Sequence, residues 1–148
     1  MILHFENARL IDPENGTDAL GSLTVQDGFI AARDGAAPEG ATVIDCNGRC
    51  LAPGIVDWGV KVGEPGERHK ESYASAGRAA AAGGVTTMVV RPDTLPPIDT
   101  PEGLSFVARR AADAPVRVRH MAALTKSREG REMVEMAFLR DAGAVAFT

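Results

Sequence analysis

Over the first fifty residues, apolar and polar positions change places every few residues and never settle into a helical period. The segment ILHFENARLI (2–11) reads as a strand, and the turn cluster DPENG follows it. GSLTVQDGFIAAR reads as a hairpin around Asp27-Gly28, a dipeptide suited to a tight turn with positive φ at both central positions. Alternation in ATVIDC predicts one more strand before an Asn47-Gly48 turn. Residues 1–51 are therefore read as a small, incomplete β-rich satellite domain.

From residue 52 the pattern changes. IVDWGV (55–60) reads as a buried strand, and a Gly/Pro loop leads into the alanine-rich helical run HKESYASAGRAAAAGG, stopped by Gly83-Gly84. VTTMVV is a β-branched strand. After the loop RPDTLPPID, Thr100 as N-cap and Pro101 at the first position predict a helix reaching about Ala112. VRVRHMAAL predicts a third strand, SREGREMVEMAFLRDAG a third helical region and AVAFT a fourth strand. Strands alternating with helices in this way specify an α/β fold with a parallel sheet, as a doubly wound sheet or a (β/α)8 barrel. Gly-x-Gly-x-x-Gly is missing after the first strand, which disfavours dinucleotide binding. Residues 52–148 hold four β/α units, and four strands do not close an eight-stranded barrel. The sequence is thus expected to be the truncated N-terminal part of a longer fold, with open edges that favour self-association.

Composition narrows the function classes. The 148 residues are 45% hydrophobic with a formal net charge of −4, which excludes the basic footprint of a nucleic-acid binder. No apolar run reaches the ~20 residues that span a bilayer, and MILHFENARL lacks the features of a signal peptide, so a cytoplasmic protein is expected. Cys46 and Cys50 flank the NGR turn and are read as reduced thiols rather than a disulfide or a metal site.

Candidate chemistry concentrates in PGIVDWGVKVGEPG (53–66). Strict strand alternation places Asp57, Gly59 and Lys61 on one face and Trp58 on the other, packed between strands and helices. Lys61 is either a resident cation paired with carboxylates or a side chain snorkelling to the surface. Asp57 reads as a hydrogen-bonded carboxylate at a strand end, with an orphaned member of a ligand set as the other option. His4, His69 and His120 are isolated and read as structural. Met133, Met136 and Phe138 lie at helical spacing and read as core, with a contact surface as the other option. Glu67, Arg68, Lys70 and Glu71 read as a solvated loop and helix start, Glu71 suiting the helix dipole.

The run from PGIVDWGVKVGEPG through VVRPDTLPP, and again LTKSREGREMVEMAFLRDAGAVAFT, resembles the first barrel segments of dihydroorotase, in the longer class of the amidohydrolase superfamily. The resemblance implies the first half of a (β/α)8 TIM-type barrel preceded by a satellite β-domain. It also implies a zinc hydrolase of cyclic amides whose first strand reads Asp-x-His-x-His-x-Arg-x-Pro-Gly. Asp57, Pro65 and Gly66 match that pattern. Gly59 and Lys61 stand where the metal-binding histidines would be, and Gly63 stands for the arginine that holds the substrate carboxylate. Asp93 replaces the substrate-contacting asparagine of Pro-Asn-Thr. Glycine offers a metal no lone pair and an ammonium repels a dication, so neither metal, cofactor nor catalytic residue is expected among these positions.

Three functions follow. The first is a non-catalytic dihydroorotase-like protein that serves as a structural partner for the assembly of aspartate carbamoyltransferase, as degenerate relatives in some bacteria do. The second is a metal-dependent dihydroorotase or related cyclic-amide hydrolase with an altered metal site. The third is an α/β module that binds a small anion at helix starts after Gly66 or Thr100.

Overall fold

The computed structural model describes residues 1–148. The chain divides into two compact units, Met1–Pro53 and Gly54–Thr148. The division falls two residues later than the sequence pattern indicates.

Unit 1 is a single sheet built around β1 (Ile2–Asp12). β2 (Thr17–Gln26) pairs antiparallel with β1, and β3 (Phe29–Arg33) pairs antiparallel with β2. β4 (Thr42–Asp45) and β5 (Cys50–Leu51) lie parallel to β1 on its other side. Asp27 and Gly28 join β2 to β3 with φ of 51° and 86°, the left-handed pair that this hairpin turn requires. The Asn47-Gly48 turn separates β4 from β5 and likewise uses positive φ at both residues. His4 is buried, with Nδ1 2.9 Å from Thr24 Oγ1. Cys46 and Cys50 are both free thiols.

Unit 2 alternates strand and helix: β6 (Ile55–Val60), α1 (Tyr73–Ala82), β7 (Val85–Val90), α2 (Pro101–Arg110), β8 (Arg117–Ala122), α3 (Met136–Asp141) and β9 (Ala144–Phe147). The four strands form a parallel sheet in the order β6-β7-β8-β9. Both long helices begin at side-chain caps. Ser72 Oγ accepts from the Ser75 N–H at 3.2 Å, and Ser75 Oγ accepts from the Ser72 N–H at 2.9 Å. Thr100 Oγ1 accepts from the Gly103 N–H at 3.2 Å, with Pro101 at the first helical position. Because α1 starts at Tyr73, His69 and Glu71 lie in the preceding loop and not in the helix.

The core lies between the sheet and the helices. Met88, Val90 and Ala122 on the strands meet Tyr73, Leu104, Val107 and Leu139 on the helices, all of them buried. Each of the valine, leucine and methionine side chains contributes roughly 1.5–3 kcal/mol of apolar burial. No helix is long and apolar enough to cross a membrane.

The third helical region is much shorter than its pattern predicts. Ser127 and Arg128 have φ of 51° and 58°, and Gly130 has φ of 72°. The chain therefore turns after the 3-10 segment Lys126–Arg128 and pairs Thr125 with Met133, leaving only Met136–Asp141 as helix. Met133, Met136 and Phe138 are consequently exposed, at 57%, 37% and 65%, instead of forming core.

Candidate functional site

The C-terminal ends of β6 and β7 carry the positions singled out by sequence, and the local path of β6 decides what they do. Asp57 pairs with Met88 and Trp58 with Val89, but the register then skips a residue, so that Val60 pairs with Val90. Gly59 is the extra residue of this bulge and has φ of 99°. The bulge overturns the simple alternation. Asp57 falls in the row of Met88, whose side chain packs toward the helices, and it makes no side-chain hydrogen bond or ion pair. Val60 and Val62 pack on that same helix side, so Lys61 projects from the opposite face, together with Trp58. Trp58 is 62% exposed on the helix-free face rather than packed between strands and helices.

Lys61 reaches Asp93. Its Nζ lies 3.7 Å from Asp93 Oδ2, and the Arg91 guanidinium donates to the same oxygen at 2.7 Å. The Asp93 side chain is largely buried, whereas Lys61 and Arg91 keep about half of their surface in water. The other carboxylate oxygen, Oδ1, is buried without a donor. Lys61 thus combines both readings made of it: its head pairs with a carboxylate while remaining solvated. Arg91 is a member of the site that the sequence did not reveal, since an arginine at the end of an apolar strand carries no motif.

The remaining degenerate position, Gly63, and the matching Gly66 are both fixed by the backbone. The Glu67 N–H donates to the Gly63 carbonyl at 2.6 Å, folding the loop after β6 back over Gly63. A Cβ at position 63 would lie 2.6 Å from the Glu67 carbonyl oxygen and 3.1 Å from that of Glu71. No arginine can begin there without moving the loop. Gly66 (φ 93°) packs against Leu95 of the loop after β7, where a Cβ would meet the Leu95 carbonyl oxygen at 2.4 Å.

Glu64 anchors this loop. It is buried, accepts from Arg110 Nε at 2.7 Å and from the Tyr73 N–H at 3.2 Å, and lies 3.5 Å from Arg68 Nε. It joins the end of β6 to the start of α1 and the end of α2. Arg68 therefore belongs to a buried-carboxylate network, whereas Lys70 pairs with Glu67 at the surface.

His120 lies on the helix side of β8, away from the Lys61 cluster, with its ring edge-on to Tyr73 at 5.6 Å between centroids. Burial holds its pKa at about 4, and Nε2 is buried with no partner. His69 is exposed in the loop before α1.

Zinc, which the family resemblance implies, does not fit the positions present. Gly59 supplies no donor, the Lys61 ammonium already faces Asp93, and Asp57 sits on another row of the strand. No three His, Cys, Asp or Glu side chains gather into a ligand set anywhere in the chain.

Comparison with known proteins places this architecture. A dihydroorotase of Anaplasma phagocytophilum (strain HZ) is 44% identical over 96% of this chain and 33% of its own length. A dihydroorotase-like protein of Pseudomonas putida is 42% identical over 99% of this chain and 35% of its own length. The chain thus spans about a third of the length of the curated relatives it matches. Among solved structures, the L-hydantoinase (dihydropyrimidinase) of Arthrobacter aurescens superposes with a TM-score of 0.82 at 25% identity, over 98% of this chain and 32% of that one. Unit 2, with four parallel strands and three helices between them, accordingly has the architecture of part of an amidohydrolase barrel. The Dihydro-orotase-like family matches residues 48–148, and the chain belongs to that family.

Proposed function

We propose that this chain is part of a cytoplasmic, non-catalytic dihydroorotase-like protein of pyrimidine biosynthesis that serves as a structural partner for assembly of aspartate carbamoyltransferase. What carries the reading is that the departures from the hydrolase pattern are built into the fold. Gly59 holds a left-handed bulge, Gly63 has no space for a side chain, and Lys61 pairs with Asp93. Single losses in an otherwise intact site would leave room for the original residues. Here the strand path and the loop have settled around the replacements, while the capped helices, the core and Pro65-Gly66 persist. The test is size-exclusion elution of the full-length protein, alone and mixed with the aspartate carbamoyltransferase of the same organism. A larger common peak is expected; separate unshifted peaks would remove the partner role.

A second reading, a metal-dependent cyclic-amide hydrolase with an altered site, draws on relatives such as those of Anaplasma phagocytophilum and Streptococcus pneumoniae, which carry the name dihydroorotase at 44% and 39% identity. It requires ligands from outside these residues to replace two at once. Turnover of dihydroorotate together with stoichiometric metal in the full-length protein would establish it in place of the first.

A further inference from the structure

The β6–β9 sheet has helices on one face only. The opposite face is arranged in rows set by the strand register: Val56, Thr87 and Arg117 in one, Trp58, Val89 and Arg119 in the next. Lys61 and Arg91 stand beyond these rows at the C-terminal end, with Asp93 as the carboxylate they share. Arg117 and Arg119 are exposed and form no ion pair. The face therefore combines four cations and one engaged carboxylate with an exposed tryptophan, in a chain whose net charge is −4.

In a (β/α)8 barrel the helix-free face of the sheet becomes the interior and is filled by layers of side chains from all the strands. Arginine is almost never fully buried without a partner, because an uncompensated guanidinium there loses its hydration with nothing to replace it. We propose that a segment of the same protein beyond Thr148 closes over this face and presents carboxylates to Arg119 and Arg117, so that the inner layers are held by arginine–carboxylate pairs as well as by apolar contacts. The relatives have that length: this chain covers about a third of them. A second copy of the chain is a poor occupant, because it would bring the same four cations against the first four. A small free anion would satisfy the guanidinium groups but leave Trp58 and Val56 in water, where they are 62% and 58% exposed. A planar guanidinium suits bidentate capture of a carboxylate, which lysine does not reproduce.

The experiment is thermal unfolding of the full-length protein and its Arg119→Leu, Arg119→Lys and Arg117→Leu variants, each without any carbamoyltransferase. The result is thus independent of the partner role. Arg119→Leu is expected to lower the midpoint by roughly 6 °C or more, because it strands a buried carboxylate. Arg119→Lys should give an intermediate loss. Arginine-to-leucine variants that melt at or above the parent would overturn the proposal. If Arg119→Leu is too unstable to purify, Arg119→Gln and Arg119→Lys decide: a loss in both supports the pairing, and parent-like midpoints in both refute it.

Discussion

Lys61 Nζ lies 3.7 Å from Asp93 Oδ2, so the two charged residues that depart from the dihydroorotase pattern meet each other. A lysine alone at the first position would stand beside Arg91 with no carboxylate between the two cations. Asp93 lies between the two cations, and the Arg91 guanidinium donates to the same oxygen from 2.7 Å. The pairing makes the two exchanges a single event in structural terms.

That coupling is measurable in a double-mutant cycle of Lys61→Met and Asp93→Asn followed by urea unfolding. Lys61 is 55% exposed at its side chain, so the interaction is expected to be about 0.5 kcal/mol, within the range of solvated pairs. Asp93→Asn should cost more than Lys61→Met, since it also releases Arg91. Strictly additive single effects would mean the two residues are neighbours without interaction.

Putting the histidines back is not expected to restore a metal site. Position 59 has φ of 99°, a conformation that costs a side chain about 1–3 kcal/mol. The Gly59→His/Lys61→His protein should be destabilised by about that amount and remain free of zinc after dialysis against the metal. Elemental analysis reporting one equivalent of bound zinc would show that the strand relaxes and that the exchanges are reversible.

Much of the fold was legible because its signals are local. Asp27-Gly28 turns where it must, and Thr100-Pro101 starts its helix through a cap that the dipeptide itself encodes. The strands of unit 2 are evident as short β-branched runs. The bulge at Gly59 was not legible, because a glycine in an apolar strand is equally compatible with regular alternation. One added residue then moved Lys61 to the face of Trp58 and away from that of Asp57. Glu64 was hidden among ordinary loop charges: its importance comes from Arg110, 46 positions away, which no local pattern reveals. The third helix failed for the opposite reason, a helical spacing of apolar residues overridden by the turn at Ser127, Arg128 and Gly130.

Glu64 is expected to be the most sensitive charged residue of unit 2. Its carboxylate is buried against Arg110 Nε and the Tyr73 N–H, so Glu64→Ala leaves a donor at the start of α1 and a guanidinium without partners. Arg110 keeps 41% of its side chain in water, which places the loss near 2 kcal/mol rather than at the upper end for buried pairs. Glu64→Gln should lose less, because its amide oxygen still accepts one of the two bonds, which run to different carboxylate oxygens, while its NH2 faces the other donor. A Glu64→Gln variant with the urea midpoint of the parent would mean that shape rather than hydrogen bonding to a carboxylate is what Glu64 supplies.

Acid should weaken the fold first through His120. Its pKa is held at about 4 by burial, against 6.5 for a free imidazole, so the unfolded chain binds the proton first. The neutral ring therefore contributes its full share of stability above pH 6.5, and that share is lost as pH falls from 6.5 through about 4, an effect of order 2–3 kcal/mol. Below that window carboxylates take over. Asp12, for example, is held at about 2 by hydrogen bonds from Asn15 and Arg33, and its contribution disappears only as pH falls from about 4 towards 2. Replacing the imidazole by a non-titrating ring in His120→Phe keeps the edge contact with Tyr73 and removes the proton site. Urea midpoints measured from pH 7 to pH 4 should then stay level in the variant while falling in the parent. Parallel curves for the two proteins would place the acid sensitivity elsewhere.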